Sequence, residues 1–180
     1  MVVLSKDKAY LYDLGGMTFM HRLNLDYHLG RVTMAANVSG ERPLMFYSNS
    51  AEVGTLKVFD IEQRKVTKTL QCHQTTILRF ACDLDGRFIV TCSTHGESIR
   101  LWDVDKGERI ASYLISGGLE INGLFFAQTG VITILTRTDE SQNRATLSLF
   151  KAPKEIKQAL IGITGETIER LSQTVPETHN

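Results

Sequence analysis

The sequence predicts an all-β protein built from a repeated four-stranded antiparallel unit. Three observations predict it: strand-like marks recur at a near-constant interval, tight-turn signals separate them, and helix-like spacing is confined to the C-terminal tail. The marks are AYLYD (Ala9–Asp13), LKVFD (Leu56–Asp60), IRLWD (Ile99–Asp103) and LSLFK (Leu147–Lys151). Their last residues, 13, 60, 103 and 151, lie 47, 43 and 48 positions apart. That period matches the roughly 40–45 residues of a WD40 repeat, whose signature includes a Trp-Asp. Trp102-Asp103 is the literal form, and Tyr12 and Phe59 are aromatic substitutes at the same place.

The clearest unit runs from His73 to Ser112. TILRFAC (Thr76–Cys82) reads as its first strand, and Asp83-Leu84-Asp85-Gly86 as a turn, because Asp-Gly favours tight hairpins. RFIVTCS (Arg87–Ser93) is a β-branched and aromatic second strand. Gly96 turns the chain into SIRLWDV (Ser98–Val104), and Asp105-Lys106-Gly107 leads to ERIASYLI (Glu108–Ile115). Four such strands make one propeller blade. The preceding blade has RVTMAAN (Arg31–Asn37), PLMFYS (Pro43–Ser48), GTLKVFDI (Gly54–Ile61) and KVTKTL (Lys65–Leu70). At the start only VVLS (Val2–Ser5), KAYLYDL (Lys8–Leu14) and MTFMHRL (Met17–Leu23) are visible. After the clear unit come EINGLFFA (Glu120–Ala127), GVITILTR (Gly130–Arg137) and ATLSLFK (Ala145–Lys151), with no clear fourth strand.

In the tail, Ile156, Leu160, Ile163 and Leu171 fall at helix-like spacing, and Pro153 suits a helix start. Gly162 and Gly165 predict a broken helix, and the polar end from Ser172 to Asn180 a frayed one. The expected organisation is therefore an incomplete WD40-type β-propeller over residues 1–152, with two full and two partial blades. A short helical, frayed tail follows over residues 153–180. The tail's apolar face has two readings: it lies on a membrane, or it covers exposed sheet. The second is preferred, because the polar face is poor in basic residues.

Composition narrows the function. The 180 residues carry 20 Lys+Arg and 20 Asp+Glu, for zero formal charge, with 42% hydrophobic and 22% charged residues. This is globular composition without the basic footprint of a general nucleic-acid binder. No apolar run reaches the roughly 18 residues of a membrane span, and the N-terminal stretch has no secretory pattern, so a cytoplasmic protein is expected. Cys72, Cys82 and Cys92 form neither a C-x-x-C nor an even framework and read as small hydrophobes in strands. There is no nucleophile elbow, Walker loop or H-E-x-x-H. Asp103-Val104-Asp105-Lys106-Gly107 begins like a calcium loop, but its twelfth position is Leu114 rather than a bidentate Glu. The five histidines, His21, His28, His73, His95 and His179, lack ligand spacing. No enzyme, metal or cofactor is expected.

The order of Val2–Leu23, Gly54–Asp60, His73, Ile77–Phe80, Asp85-Gly86 and Val90–Arg100 resembles the PROPPIN family, called WIPI proteins in animals. The resemblance covers about five-sixths of the chain and implies a propeller that binds phosphatidylinositol 3-phosphate membranes and recruits autophagy proteins. It places His73, Ser93 and Arg100 at the first lipid site. The family's arginine pair, in an F/L-R-R-G motif, falls on Leu114-Ile115-Ser116-Gly117, where both arginines are replaced, by Ile115 and Ser116. His95 and Glu97 also depart from the pattern. A guanidinium fork binds phosphate with strength that neutral side chains do not reproduce. The expectation is a PROPPIN-like adaptor at autophagosomal, endosomal or vacuolar membranes whose lipid binding is weakened or lost. The alternatives are a WD40 protein-interaction scaffold without lipid binding, or a truncated product.

A structural role competes for the same residues. His73, Thr91 or Ser93, and Trp102 have the order of a buried hydrogen-bond network within one blade. The blade count also carries an expectation. The family closes a ring of seven blades, so a homo-oligomer or a partner chain completing the propeller is expected, or else marginal stability.

Overall fold

The computed structural model describes residues 2–5, 8–24, 32–35, 43–48, 52–93, 98–115, 120–127, 129–139 and 144–160. They form fourteen antiparallel strands in four sheets, with one short helix. Blade A contains β1 (Val2–Ser5), β2 (Lys8–Asp13) and β3 (Thr18–Asn24). Blade B contains β4 (Val32–Ala35), β5 (Leu44–Tyr47), β6 (Thr55–Asp60) and β7 (Lys65–Gln71). Blade C contains β8 (Ile77–Cys82), β9 (Phe88–Ser93), β10 (Ser98–Asp103) and β11 (Glu108–Leu114). Blade D contains β12 (Glu120–Phe126), β13 (Val131–Asp139) and β14 (Arg144–Lys151). Every neighbour in a sheet is also a neighbour in sequence, the simple meander that hairpin turns dictate. Two complete blades thus stand between two three-stranded ones, as the repeat marks predict.

The aspartate of each mark has a local structural task. Asp13 accepts from the backbone N–H of Gly15 and Gly16, Asp60 from Gln63 and Asp103 from Lys106, all at 2.8–3.0 Å. Each is an Asx-type turn that starts the hairpin into the next strand. The fourth mark ends in Lys151, which cannot accept. There the chain leaves the sheet after Ala152 and Pro153 and enters helix α1, residues 154–160. In the three Asp-capped hairpins the outer strand carries one extra residue opposite the mark: Met20, Thr67 and Ile110. Such bulges increase local twist.

Alternation along the strands gives blades B and C two buried faces and blades A and D one each, and three apolar layers result. Ala9 and Leu11 of blade A pack on Met45, Tyr47, Phe59 and Ile61 of blade B. Phe46, Leu56, Val58 and Leu70 of blade B pack on Ile77, Phe80, Ile89 and Trp102 of blade C. Phe88, Val90, Ile99 and Leu101 of blade C pack on Ile121, Leu124, Ile132 and Ile134 of blade D. Leu160 of α1 is fully buried in this third layer, with Ile156 and Ala159 beside it. The described part of the tail therefore spends its apolar side on the sheet. Ile163, Leu171 and the rest of the tail beyond residue 160 lie outside the described residues. No helix among the described residues is long and apolar enough to cross a membrane.

Candidate phosphate-binding rim and its comparisons

Three of the five sequence-predicted site residues converge at one interface. Arg100 on β10 pairs in register with Thr91 on β9, and Ser93 lies two residues further along β9. Strand alternation puts Thr91, Ser93, Arg100 and Trp102 on the face turned to blade B. His73 reaches the same face from the segment that joins β7 to β8. Its ring is buried, 3% exposed, with Nε2 2.9 Å from Thr91 Oγ1. Trp102 Nε1–H donates to the same hydroxyl at 3.2 Å. The His73–Thr91–Trp102 order read in the sequence is thus a physical network, with Thr91 as its hub. Ser93 is buried beside it.

The electrostatics of this cluster are those of a closed interior. Burial, and then the nearby Arg100 cation, push the His73 ring down to about 4, so it is neutral at physiological pH. Arg100 is half-buried, and its Nη1–H donates to the Cys72 carbonyl at 2.6 Å. Its Nε is buried without a hydrogen-bond partner. Burial raises the Cys72 and Cys92 thiols to about 12, which leaves them as unreactive small hydrophobes, as read from the sequence. Among the described residues no group of three or more His, Cys, Asp or Glu is arranged to hold a metal ion.

His73 is positioned by a device the sequence reading missed. Gly54, at the start of β6, has φ +71° and accepts at its carbonyl from the N–H groups of Cys72 and His73. A Cβ on Gly54 would lie 1.8 Å from the His73 carbonyl oxygen. Gln71 Nε2 donates to that same carbonyl at 2.7 Å and to Val53 O at 3.1 Å. The only signal in the sequence is a Gly before a strand, which many turns share.

The position of the family's arginine pair follows β11. Leu114 is exposed, whereas Ile115 packs against the apolar layer between blades C and D. An apolar side chain there contributes to the core and offers nothing to an anion. Ser116, His95 and Glu97 lie outside the described residues.

No protein-family model matches the chain. Curated relatives do. Autophagy-related protein 18 of Caenorhabditis elegans is 28% identical over 158 residues, 86% of this chain and 37% of the relative. Autophagy-related protein 21 of Pichia angusta is 27% identical over 120 residues, 63% of this chain and 31% of the relative. WD repeat domain phosphoinositide-interacting protein 2 of Xenopus laevis is 20% identical over 184 residues, 98% of this chain and 41% of the relative. The chain is a homologue of the PROPPIN propellers. It spans about a third to two fifths of the length of these relatives. A solved complex of KlAtg21 with the coiled-coil of AgAtg16 shares the β-propeller fold at TM-score 0.69 and 20% identity. That match covers 84% of this chain and 49% of the solved one. The relatives' names are those of autophagy-related and phosphoinositide-interacting proteins, and the structural likeness shows a β-propeller fold.

Proposed function

We propose that this chain is a PROPPIN-like adaptor of autophagy or endosomal membrane traffic in which phosphatidylinositol 3-phosphate binding is weakened or lost. Its work then rests on protein contacts. The observation that carries this reading is the state of the cations at the candidate rim. His73 is neutral and occupied by Thr91, the Arg100 fork is partly spent on the Cys72 carbonyl, and Ile115 stands where the family has arginine. Charge-assisted hydrogen bonds are roughly twice as strong as neutral ones. A rim with one engaged guanidinium therefore gives little selective hold on a phosphorylated headgroup. The compartment that fits is the cytoplasm, with peripheral recruitment to membranes through protein partners of the autophagy machinery. No nucleic-acid role is proposed.

Support for the protein-contact side comes from the structural relative, whose solved form is a complex with a coiled coil. The test is liposome flotation with and without phosphatidylinositol 3-phosphate in a neutral phosphatidylcholine background. Recovery that differs by less than about twofold between the two vesicle types is expected. Strong lipid-dependent recovery, abolished by Arg100→Ala in a folded variant, would show instead that the rim keeps its headgroup site.

A further inference from the structure

The first turn of blade C, Asp83-Leu84-Asp85-Gly86 between β8 and β9, holds two carboxylates that the candidate rim does not use. Blade C has all four strands described, with blade B packed on one face and blade D on the other. The turn precedes Phe88, so it lies at the opposite end of β9 from Ser93 and the rim. It is built as a fixed frame. Asp83 N–H donates to the Phe88 carbonyl at 3.0 Å, and Gly86 N–H to the Asp83 carbonyl at 3.3 Å. Gly86 takes φ +69° to close the turn. Val104 N–H donates to the Arg87 carbonyl at 2.8 Å and ties the frame to the end of β10. Asp83 Oδ1 accepts from Phe88 N–H at 2.8 Å, which holds its carboxylate in place.

Two oxygens in this frame have nothing to accept. Asp83 is 1% exposed, and its Oδ2 is closed to solvent without a hydrogen-bond partner. Oδ1 of Asp85, two residues on, is closed and unpartnered as well. The two groups act on each other: burial first, and then the Asp85 charge, disfavour the ionised Asp83 carboxyl. Buried acceptors are nearly always satisfied, and a buried carboxylate oxygen without a partner is costly. Asp13 shows the ordinary outcome, with one oxygen on the N–H of Gly15 and the other on that of Gly16. Among the described residues no donor reaches Asp83 Oδ2 or Asp85 Oδ1. Arg87, the nearest cation in sequence, instead lies over the Phe88 ring, 5.0 Å from its centroid.

We propose that Asp83 Oδ2 and Asp85 Oδ1 are two ligands of a divalent cation site, for a hard ion of the calcium or magnesium class. Carboxylate oxygens select hard ions, which complete their shell with water where the protein supplies few ligands. Asp85 is half-buried and gives the ion its side toward solvent. Two carboxylates without thiolate or imidazole do not make a zinc or copper centre. The ion removes the repulsion within the turn and fastens the β8–β9 hairpin. Phe88 at its base packs in the layer between blades C and D, so the same ion stiffens that joint. The inference is independent of any lipid role, because no residue of the rim takes part in it.

Thermal melts of the purified full chain at pH 7 test it, in chelator, in millimolar calcium and in millimolar magnesium, with sodium chloride at matched ionic strength as control. Far-UV circular dichroism checks that each variant is folded. Wild type is expected to melt about 3 °C higher in at least one of the two ions than in chelator. Asp83→Asn and Asp85→Asn are expected to lose that rise. Asp105→Asn, at an exposed carboxylate on the β10–β11 turn, is expected to keep it. In chelator Asp83→Asn should melt above wild type, because the repulsion is relieved, and the added ion should narrow that gap. A wild type that melts alike in chelator and in both ions would overturn the proposal and leave a shared proton as what the two oxygens hold. The same rise in Asp85→Asn, or in sodium chloride alone, would overturn it in favour of general charge screening.

Discussion

At the position where blade C places Trp102, blade B places Phe59, and across the strand Met45 stands where blade C has Ile89. The next inward residue on that face is Tyr47 in blade B and Thr91 in blade C. The face blade B turns to blade A is thus a layer of large side chains held by dispersion and exclusion of water. The corresponding face of blade C carries a hydroxyl, an imidazole and an indole N–H that satisfy one another. The difference teaches how a repeat can keep its backbone plan while changing what its joints tolerate. An apolar joint accepts volume-conserving change, whereas a polar one fails when a single partner is removed.

The largest expected effect joins both blades. Gly54→Ala puts a Cβ against the His73 carbonyl in a left-handed backbone conformation. It should cost roughly 3 kcal/mol in urea unfolding, and it should weaken the blade C network although it lies in blade B. Thr91→Val removes the hub that His73 and Trp102 share, and is expected to cost about 2 kcal/mol. Met45→Leu, on the matching face of blade B, should cost under about 1.5 kcal/mol. Equal losses for these two would break the comparison.

Two buried groups of blade C titrate in the same window with opposite signs. Asp83 is 1% exposed and accepts from Phe88 N–H at 2.8 Å through Oδ1, while Oδ2 is buried without a partner. Burial, with added repulsion from Asp85, raises its carboxyl from 3.8 to about 6. Because the folded value is the higher one, its contribution to stability is full below about pH 4 and is lost as pH rises through about 6. His73 behaves oppositely: its folded value is lowered from 6.5 to about 4, so its contribution is present above 6.5 and lost as pH falls. Asp83→Asn keeps the acceptor and removes the charge. It is expected to stabilise the chain at pH 7 by about 1–2 kcal/mol. Thermal melts of this variant between pH 7 and 4 should then show a steady fall that the wild type partly masks.

The smallest effect concerns the turn after the mark. Blade C has Gly107 at φ +71°, and blade B has Arg64 at φ +54° in the matching position. Arg64→Gly should raise stability by about 1 kcal/mol, and no change in the denaturation midpoint would remove this difference between the blades.

Much of this was legible in the sequence. The marks gave the period, Asp85-Gly86 and Asp105-Lys106-Gly107 signalled two of the hairpins, and Pro153 marked the start of the helix that follows the last strand. The His73, Thr91 and Trp102 order was legible because one blade carries all three at fixed offsets. The approach of Gly54 to His73 and the hold of Cys72 on Arg100 were not. Both are contacts between backbone and a neighbour, and a carbonyl has no signature in the residue alphabet. The different burial of two equivalent pairs was hidden for a related reason: Leu147 and Leu149, both exposed, look the same in sequence as the buried Ile99 and Leu101, and only the neighbouring sheet distinguishes them.

The central claim is that the rim lacks the cations to hold a phosphorylated headgroup. The direct measurement is binding to vesicles containing phosphatidylinositol 3-phosphate, compared between wild type and the double variant Ile115→Arg, Ser116→Arg, with folding of both checked by circular dichroism. Restoring the two guanidinium forks is expected to raise lipid-dependent binding at least tenfold over a near-baseline wild type. Tight, lipid-dependent binding by the wild type, unchanged in the double variant, would contradict the claim.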